Sequence, residues 1–429
     1  MRILSITAQK PNSTGSGVYL TELVKEYALM GHEQAVIAGI YQEDPVELPG
    51  GVKFYPVYFE NEKLPYPIVG MSDEMPYRST RYCDMTPEMT EKFEAAFHEA
   101  ADEAVREFEP ELILCHHLYL LTAILRKRYP MHCIYGFCHN TDLRQMVKTA
   151  LLREFIREQI PKLDRIFVPQ EAQREGVLRI YGAAPEKIEA VGMGYNNKIF
   201  FPQGVKGKDG VTRIVFAGKI AEKKGVMSLI RSLSILYEKE GRRGKDKLVV
   251  RLAGSAGNRE EYERIRSMAQ ECPYEIHFLG RLAQTELAKV YNESDIFVLP
   301  SFFDGLPLTI IEALACGDRV VVSDLPGIKD WIEAYTRGAD VRYVPMPQMR
   351  NADEPAPESL PEFEERLAEA LLASIRTGEC RKEEESLAAG GAAPAGSCKK
   401  ACGPADVSRI SWEGIAKKVV RRRDEDLQA

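Results

Sequence analysis

Two kinds of apolar spacing alternate along this chain. Short, nearly unbroken apolar runs, such as RILSI at 2–6 and IFVL at 296–299, read as strands buried on both faces. Between them, apolar residues recur at every third or fourth position, as on one face of a helix. Strands are predicted at 2–6, 34–37, 52–57, 112–115, 133–137, 165–168 and 188–191, and again at 212–216, 248–252, 275–279, 296–299, 319–322 and 341–344. The helix at 87–108 has Thr86 as its cap and Pro87 at its first position, with Phe93, Phe97, Ala100, Ala104 and Phe108 as its apolar stripe. Further helices are predicted at 143–160, 258–270 and 285–292. Such alternation builds parallel sheets covered by helices on both faces, so the fold class is α/β with two sheets.

The break between the two sets falls at 198–210, where Pro202, Gly204, Gly207 and Gly210 stand among few apolar residues. An N-terminal domain over 1–200 and a C-terminal domain over 201–408 follow. In the closing segment, 409–429, Trp412, Ile415, Ala416, Val419 and Val420 form a helical stripe that needs an apolar partner. Residues 376–406 run from RKEEES into AAGGAAPAGS and are predicted as a mobile excursion without chemistry. Asp424, Glu425 and Asp426 follow three arginines and read as solvated charge.

Composition acts mainly by exclusion. With 57 basic against 64 acidic residues the net charge is −7, which is no electrostatic footprint for nucleic acid. The nine cysteines are odd in number and scattered, several in apolar runs, so no disulfide framework is expected and a reducing cytoplasm is. Cys398 and Cys402 lack a second ligand pair, and no metal is expected there. The chain opens on a core strand and no run approaches the ~18 apolar residues of a membrane span, so neither secretion nor spanning is expected. Arg144, Lys148, Arg153 and Arg157 on the 143–160 helix leave open a peripheral contact with the inner face of a membrane.

Candidate chemistry concentrates in residues 301–317, SFFDGLPLTIIEALACG. Glu312 lies in an otherwise apolar helical stretch, where an unpaired ionised carboxyl is expensive and a polar ligand would supply the partner. Asp304 precedes Gly305 and Pro307, and proline at a first helical position marks a helix start there. The two carboxylates thus straddle a helix N-terminus that favours anions, and can accept hydrogen bonds from sugar hydroxyls. The plainer reading is that Asp304 caps the helix and Glu312 reaches solvent. In FAGKIAEKKG, 216–225, a strand runs into Gly218 and Lys219, then Lys224 at the start of a helix, where a cation opposes the dipole unless an anion lies between. The loop STGSG, 13–17, lets Gly15, Ser16 and Gly17 bring backbone amides close to a ligand through glycines that tolerate positive φ. It is no dinucleotide fingerprint, because position 20 is Leu. His139 follows a strand, whereas His116 and His117 are adjacent, point differently and make no metal site.

Together these segments resemble the retaining GT-B glycosyltransferases of family 4, whose signatures are a Gly-Arg…Lys-Gly loop and a Glu-x7-Glu motif. The resemblance runs along nearly the whole chain: MRILSITAQKPNSTGSG is similar to the family's opening strand and glycine loop, LVKEYALMGHEQAVIAG to its first helix and second strand, and HFLGRLAQTELAKVYNESDIFVLPS to the approach to its donor site. Lys219 stands where the family usually has arginine, Asp304 where it has the first glutamate, and VGMG at 191–194 where it has an Asn-Gly turn. Lysine lacks the bidentate fork of arginine, and aspartate is shorter by a methylene, which bears on donor preference.

The resemblance implies two Rossmann-like, doubly wound domains facing a cleft, with a C-terminal helix crossing back onto the first. It implies transfer of a sugar from a nucleoside diphosphate to the hydroxyl of an acceptor sugar, glycan or glycolipid, with no metal or other cofactor. Lys219 and Lys224 would stabilise the leaving diphosphate, Asp304 would position sugar hydroxyls, Glu312 would hold the ribose, and His139 would lie near the donor sugar. Gly218, Arg281, Leu282, Gly305, Leu306, Pro307 and Leu308 would line the donor, while Gly15, Ser16 and Gly17 would stand opposite its diphosphate. A phosphorylase, a nucleotide-sugar epimerase, or a noncatalytic sugar-nucleotide-binding module remain alternatives.

Overall fold

The computed structural model describes residues 1–72, 75–207, 209–241, 247–256, 258–304, 307–351, 354–389 and 405–428. The chain forms two units, Met1–Gly194 with Trp412–Ala429, and Tyr195–Ser411. Among the described residues no helix is long and apolar enough to cross a membrane.

In the first unit β1 (Arg2–Thr7), α1 (Gly15–Leu29), β2 (Glu33–Ile40), β3 (Lys53–Tyr58), the short β4 (Val69–Gly70) and β5 (Thr80–Arg81), and α2 (Pro87–Phe108) follow one another. Then come β6 (Leu112–His116), α3 (Leu120–Arg128), β7 (Ile134–Phe137), α4 (Thr141–Lys148), α5 (Arg153–Gln159), β8 (Arg165–Val168), α6 (Glu171–Tyr181) and β9 (Ile188–Ala190). The main sheet is parallel, in the order β3-β2-β1-β6-β7-β8-β9. Ile3 pairs with Gln34 on one side and Leu112 on the other.

Alternate residues of each strand feed opposite faces, as the two-residue period requires. Leu4, Ile6, Ile113, Cys115, Ile134 and Ile166 join one core with Phe93, Phe97 and Phe108 of α2; Ile3, Leu112, Leu114, Tyr135, Phe137 and Phe167 join the other. The Thr86 hydroxyl caps α2 by accepting from Met89 N at 3.2 Å, and Glu109 ends it in the left-handed region. The single helix expected over 143–160 is two, because Leu152 takes a left-handed φ of 44° and the Arg153 guanidinium binds the freed carbonyls of Val147 and Thr149. Arg153 and also Arg157, which donates to Ile180 O at 2.9 Å, are thereby committed to the protein's own backbone.

The second unit runs β10 (Thr212–Ala217), α7 (Val226–Lys239), β11 (Leu248–Ala253), α8 (Arg259–Glu271), β12 (Glu275–Gly280), α9 (Gln284–Glu293), β13 (Ile296–Leu299), α10 (Leu308–Ala315), β14 (Arg319–Ser323), α11 (Ile328–Tyr335), β15 (Val341–Val344) and α12 (Leu360–Ala389). Its sheet is parallel, in the order β12-β11-β10-β13-β14-β15. The glycine-rich stretch at 198–210 belongs to this unit, where Lys206 reaches Asp318 at 2.6 Å. Of the excursion expected over 376–406, residues 376–389 continue α12, and 390–404 lie outside the described residues.

The last helix, α13 (Trp412–Gln428), belongs to the first unit. Trp412, Ile415, Ala416 and Val419 pack with Tyr19, Leu23 and Tyr27 of α1 and with the lower face of the sheet, and the Trp412 ring meets Tyr19 edge-on at 4.8 Å. A Cβ on Gly194 would lie 2.0 Å from that indole, so only glycine lets the chain leave the unit there. The acidic tail is not free surface charge. Asp426 takes a two-pronged ion pair from Arg165, at 2.9 and 2.5 Å, and a hydrogen bond from the Tyr135 hydroxyl, while Glu189 binds Arg422 and Lys418. Trp412→Ala is expected to cost about 3–5 kcal/mol by leaving a cavity between α1 and the sheet; denaturant unfolding followed by circular dichroism checks it.

Candidate active site

Both sheets have the strand order in which neighbouring connections leave on opposite faces, opening a crevice at the carboxyl ends, between β1 and β6 in one unit and between β10 and β13 in the other. Candidate residues gather at both.

In the second unit Gly218 and Lys219 follow β10. Gly254, after β11, packs backbone to backbone on them, since a Cβ there would fall 1.7 Å from Gly218 O. A 3-10 turn, Glu222–Lys224, ends at Gly225 with φ 69°, where any Cβ would meet Pro300 O at 1.9 Å. This contact knits the turn to the segment after β13: Phe302 N donates to Lys223 O at 3.0 Å. The Lys224 ammonium then pairs with Asp304 at 2.6 Å and touches Phe303 O at 3.3 Å, both side chains about a quarter exposed. Among the described residues Asp304 makes no capping hydrogen bond to a helix. Lys219 is exposed and has no partner among the described residues.

Pro307 is extended and precedes α10, which starts at Leu308, one residue later than the proline suggests. Gly305 and Leu306 lie outside the described residues. Glu312, midway along α10, is 7% exposed and its carboxyl makes no hydrogen bond or ion pair among the described residues; burial pushes it up to about 7. Arg281 and Leu282 follow the end of β12, Arg281 in solvent and Leu282 against the core.

In the first unit Gly15, Ser16 and Gly17 are not a loop but the first turn of α1, capped by the Thr14 hydroxyl accepting from Gly17 N at 3.1 Å. Gly17 is needed for clearance, because a Cβ would lie 2.6 Å from Lys10 O; the positive φ falls on Asn12 at 63°. Beyond β6 and β7 the histidines converge. His117 takes φ 72°, which turns its ring toward His139 at 4.8 Å between centroids, and His116 Nδ1 lies 3.1 Å from His139 Nε2 with the rings stacked. Adjacent residues thus face one group, contrary to the alternation of an extended strand. Burial lowers all three, His139 to about 3 despite its partly open edge, and each neighbouring imidazole reinforces His116 and His117. Asp142 is a residue that sequence reasoning missed. Fully buried, it accepts from Leu118 N at 2.8 Å and His139 N at 3.1 Å, tying both loops together. Its signal was the polar residue three places after His139, a spacing typical of side-chain to backbone turns. Among the described residues no group of three or more His, Cys, Asp or Glu is arranged to hold a metal.

Two family models match consecutive stretches: Glycosyltransferase Family 4 over residues 13–197 and Glycosyl transferases group 1 over 196–342. The chain belongs to glycosyltransferase family 4. An uncharacterized glycosyltransferase of Methanocaldococcus jannaschii is 26% identical over 185 residues, 41% of this chain and 46% of that protein. A D-inositol 3-phosphate glycosyltransferase of Catenulispora acidiphila is 28% identical over 176 residues, 38% and 41% of the two chains. The chain thus spans less than half the length of these curated relatives in its match. A solved trehalose-6-phosphate protein from E. coli, bound with UDP-2-fluoro glucose, aligns over 99% of both chains with a TM-score of 0.58 at 14% identity, which shows the shared GT-B fold.

Two opposite pH responses follow for family 4 residues in the two units. The histidines hold fewer protons folded than unfolded between about pH 6.5 and their lowered values, so stability falls as pH drops through that window, by up to ~1.4 kcal/mol per pH unit for each histidine. His139→Gln should flatten the fall in melting temperature between pH 6.5 and 4.5. Glu312 holds its proton more tightly folded, so its cost is absent below the usual carboxyl value near 4.5 and complete above about 7. Glu312→Gln should raise the melting temperature of the unliganded protein at pH 8 and leave it unchanged at pH 4.

Proposed function

We propose that the chain moves a sugar from a nucleoside-diphosphate donor to an acceptor hydroxyl with retention of configuration and without a metal. The observation that carries this reading is the Lys224–Asp304 pair at the β10/β13 crevice, with the partnerless, buried Glu312 on the helix that follows. A donor diphosphate gives Lys224 an anion in place of Asp304, and Lys219 is free to join it. Asp304 is then released to accept hydrogen bonds from sugar hydroxyls, and the ribose gives Glu312 the donors its site lacks. Such cations aimed at charge growing on a leaving group contribute roughly 3–4 kcal/mol each to the barrier reduction in a water-excluded site.

Retention fits a site that offers two carboxylates already committed to hydroxyls and, among the described residues, no free nucleophile beside them; the departing phosphate oxygen then takes the acceptor proton. Neutral His139 serves as a hydrogen-bonding group near the donor sugar, its Nε2 engaged by His116 and its Nδ1 left for substrate. A reducing compartment, the cytoplasm, suits the seven described cysteines, all free thiols.

Nucleotide sugars should be screened by thermal shift. A donor present at about 100 times its Kd stabilises by ~2.7 kcal/mol, a shift of several degrees expected for the wild type and lost in Glu312→Gln. Lys224→Ala should lower kcat about 100- to 1,000-fold while the fold is kept. An equal donor response in wild type and Glu312→Gln removes Glu312 from the site.

A further inference from the structure

Resting on the transferase reading, we propose that a hollow of about 410 Å³ at the carboxyl ends of β1 and β2 binds the acceptor, and that it selects an uncharged polyhydroxyl compound over the phosphorylated form. Its size is in the range of small-molecule sites, about 300–1,000 Å³. Lys10, Asn12, Ser13, Asp44, Glu47 and Tyr77 supply its polar lining.

Lys10, the one cation among the described lining residues, is already satisfied. Lys10 Nζ lies 2.5 Å from Asp44 Oδ1, 4.2 Å from the centre of the Tyr41 ring and 5.1 Å from that of Tyr77, with only 12% of its side chain exposed. The other Asp44 oxygen accepts from Tyr41 N at 2.8 Å, which fixes the pair to the backbone. Glu47 adds a carboxylate that is exposed and has no partner among the described residues. Counting Lys10, Asp44 and Glu47, the lining carries a net charge of −1. A phosphate monoester would bring about −1.5 to −2 more, and would have to displace Asp44 from Lys10 to find a counter-charge. The start of α1 nearby favours anions with roughly half a charge, but the Gly17 N–H is already taken by Thr14.

Hydroxyl groups meet a better match. Asp44 and Glu47 can accept from them, Ser13 can do either, and the Tyr77 ring offers an apolar face to the carbon skeleton. The loop is held rigid for this purpose: Asn12, in the left-handed region, accepts from the Thr21 hydroxyl at 2.5 Å and its amide reaches Glu47 O at 3.4 Å, while Gly17 lets Lys10 and Asn12 lie against α1. A rigid wall loses little freedom when the ligand arrives.

The test uses the full chain and three pairs of probes: glucose and glucose 6-phosphate, fructose and fructose 6-phosphate, myo-inositol and D-myo-inositol 3-phosphate. Affinities are read by ligand-observed NMR, with and without UDP, GDP or ADP. At least one neutral member should bind about tenfold or more tightly than its phosphorylated partner. Tyr77→Ala should weaken the neutral member about tenfold, and Glu47→Gln, an exposed change that spares the fold, should narrow the gap between the two. A phosphorylated member that binds equally well or better, binding by none of the six, or a neutral affinity untouched by both Tyr77→Ala and Asp44→Asn overturns the proposal. The donor response controlled by Glu312 is scored separately: a chain that keeps that response but prefers phosphorylated sugars remains a transferase and loses this acceptor assignment.

Discussion

Parallel strands deliver all their outgoing connections to one end of the sheet, and where neighbouring connections part to opposite faces nothing covers the gap between them. Both units are governed by this constraint. The first unit brings the start of α1 and the loops after β6 and β7 to its gap; the second brings the turn before α7 and the segment before α10 to its own. Whatever chemistry the chain performs is built from what those few loops carry, because the strands behind them are spent on burying Val, Ile and Leu.

The loops are kept in shape by contacts that leave no room for variation. Gly225 against Pro300, Gly254 against Gly218 and Gly17 against Lys10 are backbone approaches that any side chain would block. On this frame charged groups can be held out of equilibrium with water. Glu312 keeps a carboxyl without a partner at an energetic cost, and His116, His117 and His139 are kept neutral among one another. Lys224 and Asp304 neutralise each other. These arrangements carry a cost in stability, since an apolar residue at 312 would pack at less expense.

The strands are legible in the sequence because parallel strands bury both faces and so appear as unbroken apolar runs, and α2 because Thr86 and Pro87 mark its start. Glu312 is legible for a related reason, a lone charge in an apolar helix. Other features depend on partners far along the chain or on local backbone reversals. Asp426 looks like solvated charge until Arg165, 261 positions away, closes on it. Leu152 continues the apolar period through the place where the helix breaks, and only the Arg153 guanidinium on the loose carbonyls betrays the break. The convergence of the histidines requires one left-handed residue, His117, that no composition rule marks. Lys224 and Asp304 meet across 80 positions, whereas Lys219, equally conspicuous in sequence, stands in solvent.

The return of α13 to the first unit makes that unit discontinuous in sequence. During synthesis the ribosome releases residues 1–194 long before Trp412, Ile415 and Val419 exist, so Tyr19, Leu23 and Tyr27 must wait with their apolar side uncovered while the entire second unit is translated. The second unit, by contrast, is contiguous in sequence. Nascent chains of this protein therefore carry an uncovered apolar surface until the last helix emerges, the kind of surface that makes partly folded chains prone to aggregate. Premature termination anywhere before residue 412 would leave Tyr19, Leu23 and Tyr27 without the cover of α13.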